Sequence, residues 1–263
     1  MCPDSVFLGL TLYDICICIG IVGCFFVFCG LADGIRIKRK LQNFTLLCGV
    51  AGIALGFCSA ILFQALYNIG RDGGFVISAN TGATFYGGLI GGAASFLAVY
   101  FAVGYFRFKN GENKTEFWRM ASCAAPSIIF AHAFGRIGCL MAGCCHGSIT
   151  DSRWGILMHG DEGFARYVPI QLFEAIFLFA LFALLFARAA KSKKYNLPIY
   201  MIAYGVWRFA IEFARGDYRG STLTDAISPS QLIAILMVLG GIAVIVLEKK
   251  TSFEKSCGGA ENE

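Results

Sequence analysis

A chain of 263 residues that is 57% hydrophobic and only 15% charged has too little charge to cover a water-facing surface, since soluble domains carry about 25%. Its mean hydropathy of +0.67 and its recurring apolar runs, long enough to cross a bilayer as helix, exclude a soluble domain and indicate an all-α, polytopic membrane protein. The net charge of +5 then bears on membrane orientation and not on nucleic acid, which is not expected as a partner.

Seven spans are expected, at residues 7–31, 44–69, 85–106, 117–134, 170–187, 198–213 and 231–247, within a single domain covering residues 1–250. A polar tail, residues 251–263, is expected to be disordered. Lysine and arginine cluster at Arg36–Lys40, at Arg107, Lys109, Lys114 and Arg119, at Arg188–Lys194 and at Lys249, Lys250 and Lys255. The other side carries Arg71, Arg136, Arg153, Arg166, Arg215 and Arg219 and no lysine. The positive-inside rule therefore puts the N-terminus outside, the tail in the cytoplasm and the long loop 135–169 outside. No basic residue precedes Arg36, so a retained first helix is expected and not a cleaved signal peptide.

Polar residues inside apolar spans are the candidates for function. The first span opens with Tyr13 and Asp14, which suit either an aromatic belt with an interfacial acid or a site. The third opens Phe85-Tyr86-Gly87-Gly88-Leu89-Ile90-Gly91-Gly92, whose glycines allow close helix approach or the approach of a lipid headgroup. The fourth leads into His132-Ala-Phe-Gly-Arg136-Ile-Gly138, with His132 and Arg136 one helical turn apart, and continues to Gly143 and Gly147. Glu174 opens the fifth span, where it can complement a helix N-terminus. The sixth holds Arg208 and Glu212, spaced to form an ion pair. A guanidinium fork keeps its charge and binds a phosphodiester bidentately, so Arg136, Arg208 and Arg215 suit a phospholipid headgroup.

Of twelve cysteines, those in apolar helices behave as small hydrophobes. Cys139, Cys144 and Cys145 cluster with His146. Their spacing, Cys-x4-Cys-Cys-His, lacks the paired arrangement of zinc sites and sets two candidate ligands side by side. A packed or redox-active thiol cluster is expected there, with no metal and no cofactor.

Gly135-Arg136-Ile137-Gly138 followed by Gly143 and Gly147 resembles the signature of the bacterial prolipoprotein diacylglyceryl transferases. The Tyr13 region, Tyr86-Gly-Gly-Leu-Ile-Gly, Pro169-Ile-Gln-Leu-Phe-Glu174, Arg208 with Glu212 and Ser228-Pro-Ser-Gln231 match in order, over nearly the whole chain. The resemblance implies seven spans in the bacterial cytoplasmic (inner) membrane. It also implies transfer of diacylglyceryl from phosphatidylglycerol to the lipobox cysteine presented by a prolipoprotein signal peptide. Arg136 and Arg208 match the family's essential arginines, Glu212 its paired acid, Tyr13 its first-helix tyrosine and Gly147 a signature glycine. Tyr86 stands where the family usually has His, Cys139 where it has Asn, Cys144 where it has Glu and Val168 where it has His.

The site so drawn has Arg136, Arg208, Tyr13, Gly138 and Gly147 binding substrate and Glu212 orienting Arg208. His132, then His146, takes the acceptor proton, with Tyr86 assisting through hydrogen bonding. Two other classes fit the same residues: a lipid transferase with a different acceptor, and a non-catalytic lipid-binding or redox membrane protein.

Overall fold

The structure, a computed structural model, describes residues 9–72, 77, 81, 84–160, 163–215 and 227–258. Its elements are α1 (Leu12–Gly34), α2 (Arg39–Asp72), α3 (Phe85–Arg107), the one-turn α4 (Glu112–Thr115), α5 (Phe117–Ala142), β1 (Ile156–Gly160), β2 (Gly163–Tyr167), α6 (Ile170–Ala190), α7 (Asn196–Ile211), a 3-10 turn (Glu212–Ala214) and α8 (Pro229–Gly258). Among the described residues six helices are long and apolar enough to cross a membrane. The sixth expected span corresponds to α7, which has 16 residues, short of the roughly 20 that span a hydrocarbon core. The first two residues of the first expected span, Arg219, and the tail beyond Gly258 lie outside the described residues. Helix α8 continues to Gly258, so the first part of the expected disordered tail is helical.

The chain divides into two compact units, Arg36–Phe117 and Met1–Ile35 with Trp118–Glu263. In the smaller unit α2 and α3 meet along a seam of glycines. A Cβ at Gly56 would stand 2.9 Å from the Gly88 carbonyl oxygen, and one at Gly92 would stand 3.2 Å from that of Gly52. Backbones approach this closely only where side chains are absent. Ser59 Oγ donates to the Gly87 carbonyl at 3.0 Å across the same seam. At one end of the pair, Tyr100 packs between Phe44, Phe96 and Phe117 and donates its hydroxyl to the Asn113 carbonyl at 2.9 Å. Lys38 pairs with Glu112 at 3.0 Å.

The larger unit is built around α5. Thr11 and Asp14 form a reciprocal capping box at the start of α1, which gives Asp14 a structural task. Gly20 of α1 sits against the Ala131 carbonyl, and the Tyr13 ring lies over Gly138. This contact corrects the expected end of the fourth span. Gly135 and Gly138 do not open a loop; they face α1 and let α5 run two turns further, to Ala142. On its other side α5 packs with α6 and α7 through Ile129, Ala133, Leu178, Leu181, Leu185 and Tyr204. Helix α7 meets α8 where Gly205 faces the Ala234 carbonyl and Gly241 faces that of Pro198.

Pro126 lies inside α5 and brings no N–H for the Ser122 carbonyl one turn back. Asn196 Nδ2 supplies the missing donor at 3.3 Å and also reaches Ser122 Oγ at 2.9 Å, while Arg188 Nε donates to Asn196 Oδ1 at 3.1 Å. Arg188, read from sequence only as an orienting charge, thus ties α6 to the start of α7.

The long loop is not all irregular. β1 and β2 form an antiparallel hairpin in which Ile156 faces Tyr167. Residues 147–149 add isolated bridges, Ile149 to Tyr167 and Gly147 to Arg215. Leu140, Met158 and Tyr167 form a small core beneath it.

Candidate active site

One face of α7 carries Tyr200, Tyr204, Arg208 and then Glu212, each four residues after the last, so they form a stripe along the helix. Helix α5 presents His132 and Arg136 at the same spacing. The two stripes meet. His132 Nδ1 lies 3.1 Å from the Tyr200 hydroxyl, and its ring stands edge-on to Tyr204 at 4.7 Å. Arg136 Nε pairs with Glu174 at 3.1 Å, Tyr204 donates its hydroxyl to the other Glu174 oxygen at 2.7 Å, and Arg136 Nη2 lies 3.5 Å from the Tyr204 oxygen. Glu174 is 1% exposed. The sequence reading gave Glu174 to the helix dipole; the structure makes it the counter-ion of Arg136 and the junction of α5, α6 and α7.

Arg208 is held by two partners, one of which is itself braced. Its Nη2 pairs with Glu212 at 3.0 Å, as the spacing predicts, and donates to Ser230 Oγ at 3.1 Å. Ser228 Oγ donates to the second Glu212 oxygen at 3.0 Å, and Arg215 Nε stands 3.9 Å from the first. Ser228 also belongs to the start of α8, where Gln231 N donates to Ser228 Oγ and Ser228 N donates to Gln231 Oε1. This reciprocal cap fixes the hydroxyl that orients Glu212.

Arg136 reaches the Tyr204 oxygen, and Arg208 follows Tyr204 one turn further along the same face of α7. Arg208 Nη1, His132 Nε2 and Trp207 Nε1 are each buried without a hydrogen-bond partner among the described residues. Such atoms are costly unless something meets them. A guanidinium has five N–H donors, and one carboxylate does not saturate it.

A second group lies at the end of α5. Gly147 is wedged between two backbones: a Cβ there would stand 2.8 Å from the Ala214 carbonyl oxygen and 3.0 Å from that of Val168. Its N–H donates to Val168 at 2.8 Å. Gly147 thereby holds the hairpin against the 3-10 turn that carries Glu212. His146 is buried, its ring tilted against that of Tyr167 with centroids 4.0 Å apart, and its Nδ1 lies 3.0 Å from the Gly147 carbonyl. A carbonyl only accepts, so Nδ1 carries the proton. The sulfur atoms of Cys139, Cys144 and Cys145 lie within 4.8 Å of one another, and Gln171 Nε2 donates to the Cys144 carbonyl at 2.6 Å.

Of the expected site residues, His132, Arg136, Arg208 and Glu212 come together; Tyr13 and Gly138 touch each other beside the thiols, and Gly147 and His146 sit at the hairpin. Tyr86 belongs to the smaller unit, at the start of α3. Sequence reasoning missed Tyr200, Tyr204, Trp207, Ser228 and Ser230 as members of the site. The spacing of four from Tyr200 to Glu212 was the available signal for the two tyrosines.

Comparison with known proteins gives a consistent result. A sequence profile of the family described as "Prolipoprotein diacylglyceryl transferase" matches residues 5–247. The chain is 35% identical over 218 residues to "Phosphatidylglycerol--prolipoprotein diacylglyceryl transferase 2" of Clostridium perfringens (strain 13 / Type A), covering 81% of this chain and 80% of that protein. It is 33% identical over 207 residues to the "Phosphatidylglycerol--prolipoprotein diacylglyceryl transferase" of Clostridium tetani (strain Massachusetts / E88), covering 76% and 78%. With the protein of the same name from Dehalococcoides mccartyi (strain ATCC BAA-2266 / KCTC 15142 / 195) it shares 26% over 233 residues, 83% and 84% of the two chains.

Proposed function

The chain belongs to the prolipoprotein diacylglyceryl transferase family, and from that membership we propose that it moves the diacylglyceryl group of phosphatidylglycerol onto the lipobox cysteine thiol of a prolipoprotein. A thioether forms and glycerol phosphate leaves. The setting is the bacterial inner membrane, with the N-terminus outside, the tail in the cytoplasm and the acceptor presented by its signal peptide. The readings of a different acceptor or a non-catalytic binder draw no support from the relatives' names.

The observation that carries the reading is a pair of guanidinium groups, each braced by a carboxylate whose side chain is 9% exposed or less, with Arg208 Nη1 buried and unpartnered among the described residues. Bracing sets the fork direction in advance, so little ordering remains when a phosphodiester arrives. Arg208 Nη1 and the further donors of Arg136 take the lipid phosphate. As the glyceryl C–O bond breaks, negative charge grows on the departing phosphate, and the same donors stabilise it. Glu212 orients Arg208 and Glu174 orients Arg136. His132, through its open Nε2, is the first candidate to take the acceptor proton, and His146 the second. Tyr13, Gly138 and Gly147 shape the approach of substrate.

Arg136→Ala and Arg208→Ala are each expected to lower transfer to a labelled lipobox peptide from phosphatidylglycerol vesicles by about 100-fold or more, the usual loss for a transition-state anion contact. Unchanged transfer in either variant would contradict the assignment.

A further inference from the structure

We propose that Cys139, Cys144 and Cys145 form a three-thiolate site for a zinc-type divalent metal ion, whose open fourth position binds and ionises the acceptor's cysteine thiol. The proposal rests on the transferase reading above and names how that reaction's nucleophile is prepared.

The backbone brings the sulfurs together. Cys139 lies in the last turn of α5. The helix ends with Gly143 N donating to the Leu140 carbonyl at 3.2 Å and Cys144 N to the Cys139 carbonyl at 3.1 Å, Gly143 having φ +74°. Cys145 takes φ +61°, a left-handed conformation uncommon for a side-chain-bearing residue. Adjacent cysteines on a regular helix or strand point apart, which is why the sequence weighed against a metal. This turn instead places all three sulfurs within 4.8 Å of one another. A tetrahedral ion with metal–sulfur bonds of about 2.3 Å sets its sulfurs about 3.8 Å apart, so the approach needed is within the reach of side-chain rotation. The Gln171 amide pins the turn to α6 through the Cys144 carbonyl.

Three ligands is also the number that leaves work for a fourth. Among the described residues no further histidine, cysteine or acid joins the group. His146, next in sequence, is turned to the Gly147 carbonyl and Tyr167. Sites with three protein ligands keep a position for water or substrate. Cys144 is exposed, so that position opens outward. Cys139 follows Arg136 by one turn on α5, and the Tyr13 ring lies over Gly138 between them. The thiol cluster therefore borders the proposed phosphate site.

The chemistry balances without redox change. The acceptor thiol binds the metal and releases its proton through water to His132, the base named above, because a metal-coordinated thiol is deprotonated and the thiolate is the nucleophile. Its sulfur attacks the glyceryl carbon; the C–S bond forms as the C–O bond to phosphate breaks, and the electron pair leaves with glycerol phosphate onto Arg136 and Arg208. The thioether is neutral and a weaker ligand, and water displaces it.

The test uses Co(II) as a spectroscopic probe on the full-length protein in lipid nanodiscs. One equivalent should bind with tetrahedral d–d bands and a sulfur-to-cobalt charge-transfer band, both lost in Cys139→Ser, Cys144→Ser and Cys145→Ser. A lipobox peptide should strengthen the charge-transfer band by roughly a third, as thiolates go from three to four, and its cysteine-to-serine counterpart should not. Arg208→Lys should lose lipid transfer yet keep the cobalt spectrum and its response, which reads the two proposals separately. Transfer that proceeds normally after chelation, or cobalt binding unaffected by the three serine substitutions, overturns the metal site and leaves the transferase standing. A cobalt response to the peptide with no transfer by the wild type supports the thiol site and overturns the transferase reading.

Discussion

A carboxylate with 1% of its surface exposed in a membrane helix bundle persists only when a cation and a donor meet it, and at Glu174 these are Arg136 and Tyr204. The two partners are not equal. Removing one member of a buried ion pair strands the other charge and costs about 3–5 kcal/mol, whereas a side-chain hydrogen bond between membrane helices averages about 0.6 kcal/mol. Glu174→Ala should therefore destabilise the protein by several kcal/mol in detergent unfolding, and Tyr204→Phe by less than about 1 kcal/mol. Equal losses would mean that the hydroxyl, and not the ion pair, holds the junction. Sequence could not reveal this pair. Arg208 and Glu212 are four apart on one helix and meet by helical geometry alone, while Arg136 and Glu174 lie on different helices. Glu174 also had an adequate local explanation in the dipole of its own helix.

At the scale of elements, a proline inside a transmembrane helix must be answered by another donor, and α5 is answered by Asn196. Pro126 was visible in the sequence; its partner was not, because it lies beyond the α6–α7 turn. Asn196→Ala should cost about 1–3 kcal/mol, the range for stranding a buried acceptor. Pro126→Ala restores an N–H for the Ser122 carbonyl, so the Asn196→Ala penalty should shrink in that background in a double-mutant cycle. An unchanged penalty would show that Asn196 acts through its other bonds, to Ser122 Oγ, the Lys193 carbonyl and Arg188. The hairpin was hidden for a related reason. Its strands, Ile156–Gly160 and Gly163–Tyr167, have only five residues each, and an apolar count made over spanning lengths finds helices but not short ribbons. The turn at Cys145 was equally out of reach, since nothing in an adjacent pair of cysteines predicts a left-handed backbone.

For the whole molecule, composition alone settled the class, because too little charge leaves only lipid as solvent. Span positions followed from apolar length, with ends shifted where glycine served packing and not termination. The smaller unit shows the same use of glycine. Gly56 and Gly49 both lie on α2, but a Cβ at Gly56 meets the backbone of α3 while one at Gly49 meets nothing within 4 Å. Gly56→Leu should cost about 1–3 kcal/mol by overpacking and lower the thermal midpoint, and Gly49→Leu should leave it unchanged. A matched loss at both would mean that the seam is not where the cost arises, since helix propensity favours leucine at either position.

The junction at Glu174 also constrains how the chain is made. Arg136 emerges from the ribosome before Glu174, and Tyr204 later still, so α5 meets the insertion machinery with a charge whose counterpart has not been synthesised. A lone arginine or glutamate in an apolar helix opposes release into lipid. Integration of α5 is therefore expected to depend on α6: a chain truncated before Glu174 should integrate α5 less well in a membrane-insertion assay, and equal integration with and without α6 would refute this. The counter-ion that aims a guanidinium in the finished protein is, during its birth, the signal that two segments belong together.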